Sequence, residues 1–273
     1  MKSRILTLPA LLAVSAYLAG LGPVASAVIR PLDDSSLKSV RFEQRLHHTL
    51  ALNLAFQDES GLPVKLDQYF HQEPVILVPG YYGCPMLCGQ IANGLIEALQ
   101  DITATPGKDF EIIFVSIDPA EKPLLAESKK RAYLKRYGRA PSGNGWHFLT
   151  GTDTAIEGLS RDLGFHYVYD PASKQYAHPS GIVVVRPDGV IAQYLFGVTY
   201  SPREVSHALK AAQKGEVQSP IRELLLLCFH YTPLTGKYAG LVMGVVRAAA
   251  LVTLLALTGG VVVMMRRQRE KRI

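Results

Sequence analysis

Cysteine is scarce in this chain: three among 273 residues, and no two of them form a Cys-x-x-Cys pair. The spacing most common in thiol-redox proteins is therefore absent. Internal repeats and low-complexity tracts are absent too, which leaves out solenoids and disordered linkers as the main architecture. No basic helix with interleaved aromatics occurs, so nothing marks a nucleic-acid surface. No cysteine follows the amino-terminal apolar stretch, which argues against a lipid-anchored amino terminus. The formal charge of +6 also belongs to the ends. Lys2 and Arg4 supply two positive charges, and the last eight residues supply a net four from five bases and Glu270. What lies between is close to neutral, so the basic character reflects topology and not a polyanion-binding face.

Those two ends read as targeting and anchoring segments. Residues 1–27 run from Lys2 and Arg4 through the apolar stretch 5–21 to Ala25-Ser26-Ala27. A basic start, an apolar middle and small residues before a cleavage point describe a secretory signal peptide. An uncleaved anchor is the competing reading, since residues 5–28 are long enough to span; Pro23 and Ala-Ser-Ala favour cleavage. Near the other end, residues 248–265 are 18 positions without a charge, about 27 Å of helix at 1.5 Å per residue. We take the transmembrane helix as 239–265, with Arg247 snorkelling at the outer interface. The basic tail 266–273 is then cytoplasmic by the positive-inside rule. The expectation is a single-pass protein of a bacterial inner membrane, with its main domain in the periplasm.

Between signal and span the sequence predicts a lead-in at 28–54, one domain at 55–215 and a juxtamembrane segment at 216–238. Residues 41–48 read as a short polar helix, and 55–64 as a hairpin turning at Gly61. The order then alternates. Strands are expected at 75–78 and 111–117, the second apolar enough to be covered on both faces, with a helix at 90–101 between them. A charged amphipathic helix at 123–137 precedes a strand at 146–149. Thr154-Ala155-Ile156-Glu157 reads as a capping box opening a helix to about Leu163. A hairpin, 182–185 and 191–196, turns at Pro187-Asp188-Gly189. The last helix has Ser201 as N-cap, Pro202 and Glu204 in its first turn and Gly215 beyond its end. A βαβ half followed by a hairpin and a helix is the order of the α/β thioredoxin-like fold. It predicts a mixed sheet of four to five strands with helices on both faces.

The chemistry concentrates in Pro79-Gly80-Tyr81-Tyr82-Gly83-Cys84-Pro85-Met86-Leu87-Cys88. The order strand, loop, helix puts these cysteines on the first turn of a helix, where unpaired N–H groups and the macrodipole favour thiolates. His178 lies far along the chain, just before the apolar run 182–185. Two thiolates and one imidazole suit copper and also permit zinc. Thiol–disulfide exchange and a structural disulfide remain open on spacing alone. Met86 reads as packing, and Asp118 as a turn cap with a secondary role at the site as the alternative. The third cysteine, Cys228, sits with His230 in a segment that precedes the span. It reads as a packed apolar residue, or else as a second copper or partner contact beside the membrane.

Three segments in order resemble the Sco/SenC family of membrane-tethered, copper-binding, thioredoxin-fold proteins that assist cytochrome oxidase assembly. They are the cysteine loop 80–88, Val115-Ser116-Ile117-Asp118-Pro119, and the stretch 178–189 beginning His178-Pro179-Ser180-Gly181. The resemblance covers roughly 55–215. It implies Cys84, Cys88 and His178 as copper ligands, a metallochaperone function, and as partner an oxidase subunit carrying a copper centre. A membrane-tethered thiol–disulfide reductase acting on oxidase cysteines is the alternative, in which Cys84 and Cys88 are a redox pair. A thiol peroxidase is disfavoured, because Tyr81-Tyr82-Gly83-Cys84 lacks the Thr-x-x-Cys arrangement. The chain departs from the family in having Gly83 and Gly89 flank the cysteines where Thr and Pro are usual. Ala177 stands where an acidic residue is common, and the expected anchor is carboxy-terminal.

Overall fold

Apolar runs with few interruptions form the centre of the molecule, and the polar segments between them turn or cover it. The computed structural model describes residues 39–84, 88–139, 143–219 and 227–228, and the helical pieces 248–250, 252–254, 257–261 and 267. Strand β1 (Arg41–Phe42) is followed by a hairpin, β2 (Ala55–Gln57) and β3 (Pro63–Lys65). The hairpin turns where Asp58 Oδ1 accepts the Ser60 and Leu62 N–H groups at 2.8 and 2.9 Å, with Gly61 at φ +81°. A 3-10 turn, Leu66–Tyr69, leads to β4 (Val75–Gly80), α1 (Cys88–Gln100), β5 (Glu111–Ser116) and α2 (Pro123–Tyr137). Next come β6 (Trp146–Gly151), α3 (Asp153–Asp162), β7 (Phe165–His166), β8 (Val168–Asp170) and β9 (Gln175–Pro179). The series continues with β10 (Gly181–Val185), β11 (Ile191–Phe196), α4 (Pro202–Gln213) and β12 (Leu227–Cys228).

The main sheet has seven strands in the order β11-β10-β4-β5-β6-β2-β3. Strands β4, β5 and β6 are parallel, as crossover helices require, while β10 runs antiparallel to β4 with Val183 opposite Leu77. Alternate residues feed two cores, because successive side chains of a strand point to opposite faces. Ile76, Val78, Ile112, Phe114, Trp146, Phe148, Ile182 and Val184 pack with α1, α2 and α4. Val75, Leu77, Ile113, Val115, Leu149, Val183 and Val185 pack with α3 and the β1 segment. Each fully buried side chain of this kind stabilises the fold by about 1.5–3 kcal/mol. Helix α1 crosses the β11–α4 connection at Gly94, where a Cβ would stand 2.0 Å from the Val198 carbonyl oxygen, so only glycine fits.

The thioredoxin-like order and helices on both faces match expectation, and several details do not. The sheet is wider than four to five strands, since the small hairpin adds to the β6 edge through Phe56↔Gly151. Residues 41–48 are not a helix: Arg41 and Phe42 pair with His166 and Phe165, and burying the Phe42 ring outweighs any local helical preference. Helix α3 starts two residues earlier than the capping-box reading, with Thr152 as N-cap accepting the Ala155 N–H at 3.4 Å. Strands β7, β8 and β9 form small ladders that sequence reading left out. Among the described residues no helix is long and apolar enough to cross a membrane. The signal 1–27 and most of the expected span 239–265 lie outside the described residues.

Candidate metal centre

The cysteine loop leaves the carboxyl end of β4, a central strand, at the end of the sheet where parallel strands leave room for connecting loops. Tyr81 and Tyr82 are both buried and anchor the loop on opposite sides of the sheet. The Tyr82 hydroxyl lies 3.0 Å from the Phe114 carbonyl and 2.9 Å from the Leu149 carbonyl, pinning the loop to β5 and β6. Burial pushes its pKa well above the ordinary tyrosine value. Tyr81 turns the chain, its carbonyl accepting the Cys84 N–H at 3.4 Å. Cys84 is half-buried and precedes the helix, and Cys88 is the first residue of α1. The two cysteines are therefore not both on the first helical turn as the sequence suggested: one is on the loop and one opens the helix. Residues 85–87, with Met86, and the Cys88 side chain lie outside what the structure describes.

His178 approaches from the other direction. It is the fourth residue of β9, and the chain then enters β10, whose antiparallel register returns it along β4. This brings His178 to the end of β4 where the cysteine loop begins. Its ring meets Tyr81 edge-on at 5.9 Å and Phe165 at 5.7 Å, and it is wholly buried. The Nδ1 atom lies 2.9 Å from the Pro179 carbonyl oxygen. An Nδ1–H donating there leaves the lone pair on Nε2, the tautomer a metal ligand needs. Tyr81 thus touches both candidate ligands, Cys84 through its backbone carbonyl and His178 through its ring. Tyr176 packs on Tyr81 at 5.5 Å, and its pKa is pushed up to about 12, chiefly by burial and then by the Asp118 charge.

Sequence reasoning missed Glu121. Its Oε2 accepts the Tyr82 N–H at 2.8 Å and the Ser116 hydroxyl at 2.6 Å, while Oε1 accepts the Gly83 N–H at 2.5 Å. Burial raises its pKa above the ordinary carboxylate value, against the lowering effect of those three donors. Only its position three residues after Asp118 could have drawn notice. Asp118 itself is a turn cap, its Oδ1 accepting the Ala120 N–H at 2.9 Å. Strand β12 pairs with β9 so that Cys228 is the register partner of His178; the Cys228 side chain and His230 lie outside what is described. Among the described residues no group of three or more His, Cys, Asp or Glu side chains is gathered to hold a metal. The structure brings together the Cys84 loop and His178, with Cys88 at the adjoining helix start.

The SCO1/SenC family model matches residues 44–214, reaching back into the expected lead-in and covering the cysteine loop and His178. A cattle mitochondrial protein, the SCO2 homolog, is 24% identical over 130 residues, which are 46% of this chain and 46% of that protein. The chain therefore spans about half the length of the curated relative it matches. A solved structure of a candidate electron transfer protein from Aquifex aeolicus VF5 superimposes with a TM-score of 0.54 at 25% identity, covering 65% of this chain and 99% of the other. The Arabidopsis thaliana ScoI structure, solved with copper bound, gives a TM-score of 0.48 at 17% identity over 60% of this chain and 99% of that one.

Proposed function

The chain belongs to the SCO1/SenC family, and on that premise we propose that it is a copper metallochaperone whose cargo is held by Cys84, Cys88 and His178. The observation that carries this reading is the convergence of two distant segments. The wholly buried His178 on β9 meets Tyr81, whose carbonyl accepts the Cys84 N–H. Two thiolates and an imidazole with its Nδ1 proton engaged form a soft donor set suited to copper. The recipient in this reading is a cytochrome oxidase subunit with its own copper centre, following the cytochrome oxidase role named for the family's Sco proteins. The 239–265 segment would tether the domain to a bacterial inner membrane, with the domain in the periplasm and the tail 266–273 in the cytoplasm.

A thiol–disulfide reductase acting on oxidase cysteines is the second reading, favoured by Cys84 and Cys88 flanking the start of α1 beside a central strand. Such an enzyme has no use for His178, which separates the two. The test is anaerobic copper loading of the reduced full-length chain, read by metal analysis and visible absorption. One copper per chain is expected. Cys84→Ser or Cys88→Ser should abolish retention, and His178→Ala should chiefly weaken Cu(II). One tight copper in the Cys84→Ser, Cys88→Ser double variant would put the site elsewhere and sink the proposal.

A further inference from the structure

The geometry points to Glu121 as a positioning residue of the cysteine loop, one that fixes the backbone carrying Cys84 and restrains the reactivity of its thiol. The inference concerns the same loop as the proposed copper site, but it stands on hydrogen bonding and is tested without metal. Three protons are aimed at one carboxylate: the Tyr82 N–H, the Gly83 N–H and the Ser116 hydroxyl. An ionised carboxylate only accepts, so this arrangement suits it at every contact. Hydrogen bonds to a charged group are the strong ones, and two of these hold consecutive peptide groups immediately before Cys84.

Glu121 is aimed by a small turn. Ser116 Oγ accepts the Asp118 N–H at 3.1 Å while donating to Glu121, and the Glu121 N–H donates to the Asp118 carbonyl at 3.1 Å. Asp118 therefore serves the site indirectly, by shaping the turn that presents Glu121. Gly83 is the matching half of the device. A Cβ at residue 83 would lie 3.1 Å from Glu121 Oε1, tight enough that the carboxylate would have to give way. The glycine before Cys84 and the glutamate after Asp118 are thus fitted to each other.

The consequence follows from which groups are held. The Tyr82 and Gly83 N–H groups are both engaged by Glu121, so the two peptide groups that lead into Cys84 are fixed in place. Removing the carboxylate releases both peptide groups and loosens the loop, which opens the Cys84 thiol to reagents.

The test uses the full-length chain with Cys88→Ser and Cys228→Ser, so that Cys84 is the only thiol, and measures its alkylation rate by iodoacetamide at fixed neutral pH. Glu121→Gln and Glu121→Ala should each raise the rate at least threefold. The amide is expected to resemble alanine because it places its own N–H against a donor, whereas a space-filling role would leave Glu121→Gln near wild type. Gly83→Ala should raise the rate in the Glu121 background and change it little in the Glu121→Ala background, since contacting residues couple. The Gly145→Ala variant, just before β6 and so at the opposite end of the parallel strands, puts a Cβ 1.9 Å from the Gly107 nitrogen; it controls for general destabilisation and should leave the rate unchanged. A wild-type rate in Glu121→Gln, or additive effects of Gly83→Ala and Glu121→Ala, would overturn the assignment. Loss of copper binding would not enter the result, so failure here and failure of the chaperone reading are distinguishable.

Discussion

Buried hydroxyls and rings, not the cysteines themselves, give the site its order. Tyr82 is 7% exposed and its hydroxyl serves two carbonyls on neighbouring strands. Tyr82→Phe removes that hydroxyl and leaves both carbonyls to find other partners. It should lower unfolding stability by about 1–2 kcal/mol, read by denaturant midpoint, while one copper per chain is retained. Unchanged stability would show that the loop is not pinned through this group. At the same scale Tyr81 separates the roles of packing and ligation: its ring meets His178 edge-on at 5.9 Å without competing for a metal.

At the scale of elements, the β2–β6 ladder that holds the added hairpin is reinforced by an acidic residue. Glu59, at the β2–β3 turn, is in contact with Lys130 of α2 through an ion pair, and its Oε2 accepts the Phe148 N–H of β6 at 3.1 Å. Burial pushes its pKa up, but the Lys130 and Phe148 contacts outweigh this and hold it below the ordinary value of 4.5. A carboxylate with a lowered folded-state pKa adds stability that is present above its unfolded pKa and lost as pH falls through the folded one. Glu59→Gln should therefore cost about 1–3 kcal/mol at pH 7 and should flatten the fall in stability below about pH 4.5. Urea titrations at pH 7 and pH 3 check both halves. Equal stability of variant and wild type at pH 7 would mean that the clamp contributes nothing. The α1 crossing is the other sensitive contact: Gly94→Ala puts a methyl against the Val198 carbonyl and should destabilise by about 2 kcal/mol or more, measured by thermal unfolding.

For the molecule as a whole, the prediction concerns topology. A reporter active only in the periplasm should work when fused after Gly215, and one active only in the cytoplasm when fused after Ile273. Cytoplasmic silence at Ile273 would mean that the segment 239–265 does not span. The proposed chaperone role sets a second demand at this scale, because His178 is wholly buried and its strand carries β12 on one edge. Cys228→Ala should leave copper stoichiometry intact and cost about 1 kcal/mol at most if residue 228 only packs. A folded, copper-loaded Cys228→Ala chain that fails to restore oxidase activity in cells lacking the protein would instead favour a relay contact.

Much of this was legible in the sequence, because local physics suffices for it. The apolar runs of β4, β5, β10 and β11, the Gly61 and Gly189 turns, and the Pro202 start of α4 are specified by residues within a few positions of each other. The pairing of the cysteine loop with His178 was legible only as matching donor chemistry and as a resemblance, since no spacing in the chain brings residues 84 and 178 together. The register of β10 on β4 does that. The strand at Arg41–Phe42, the ladders around β9 and the Glu121 carboxylate were not legible, and for one reason. Each depends on a partner far along the chain: Phe165 and His166 for β1, Cys228 and Leu227 for β9, and the Tyr82 and Gly83 N–H groups for Glu121. Sequence alone determined which residues have metal-binding chemistry and which segments are strands of the core. Only the tertiary structure decided which of them meet, because long-range pairing is fixed by burial and by backbone hydrogen bonds that no local pattern encodes.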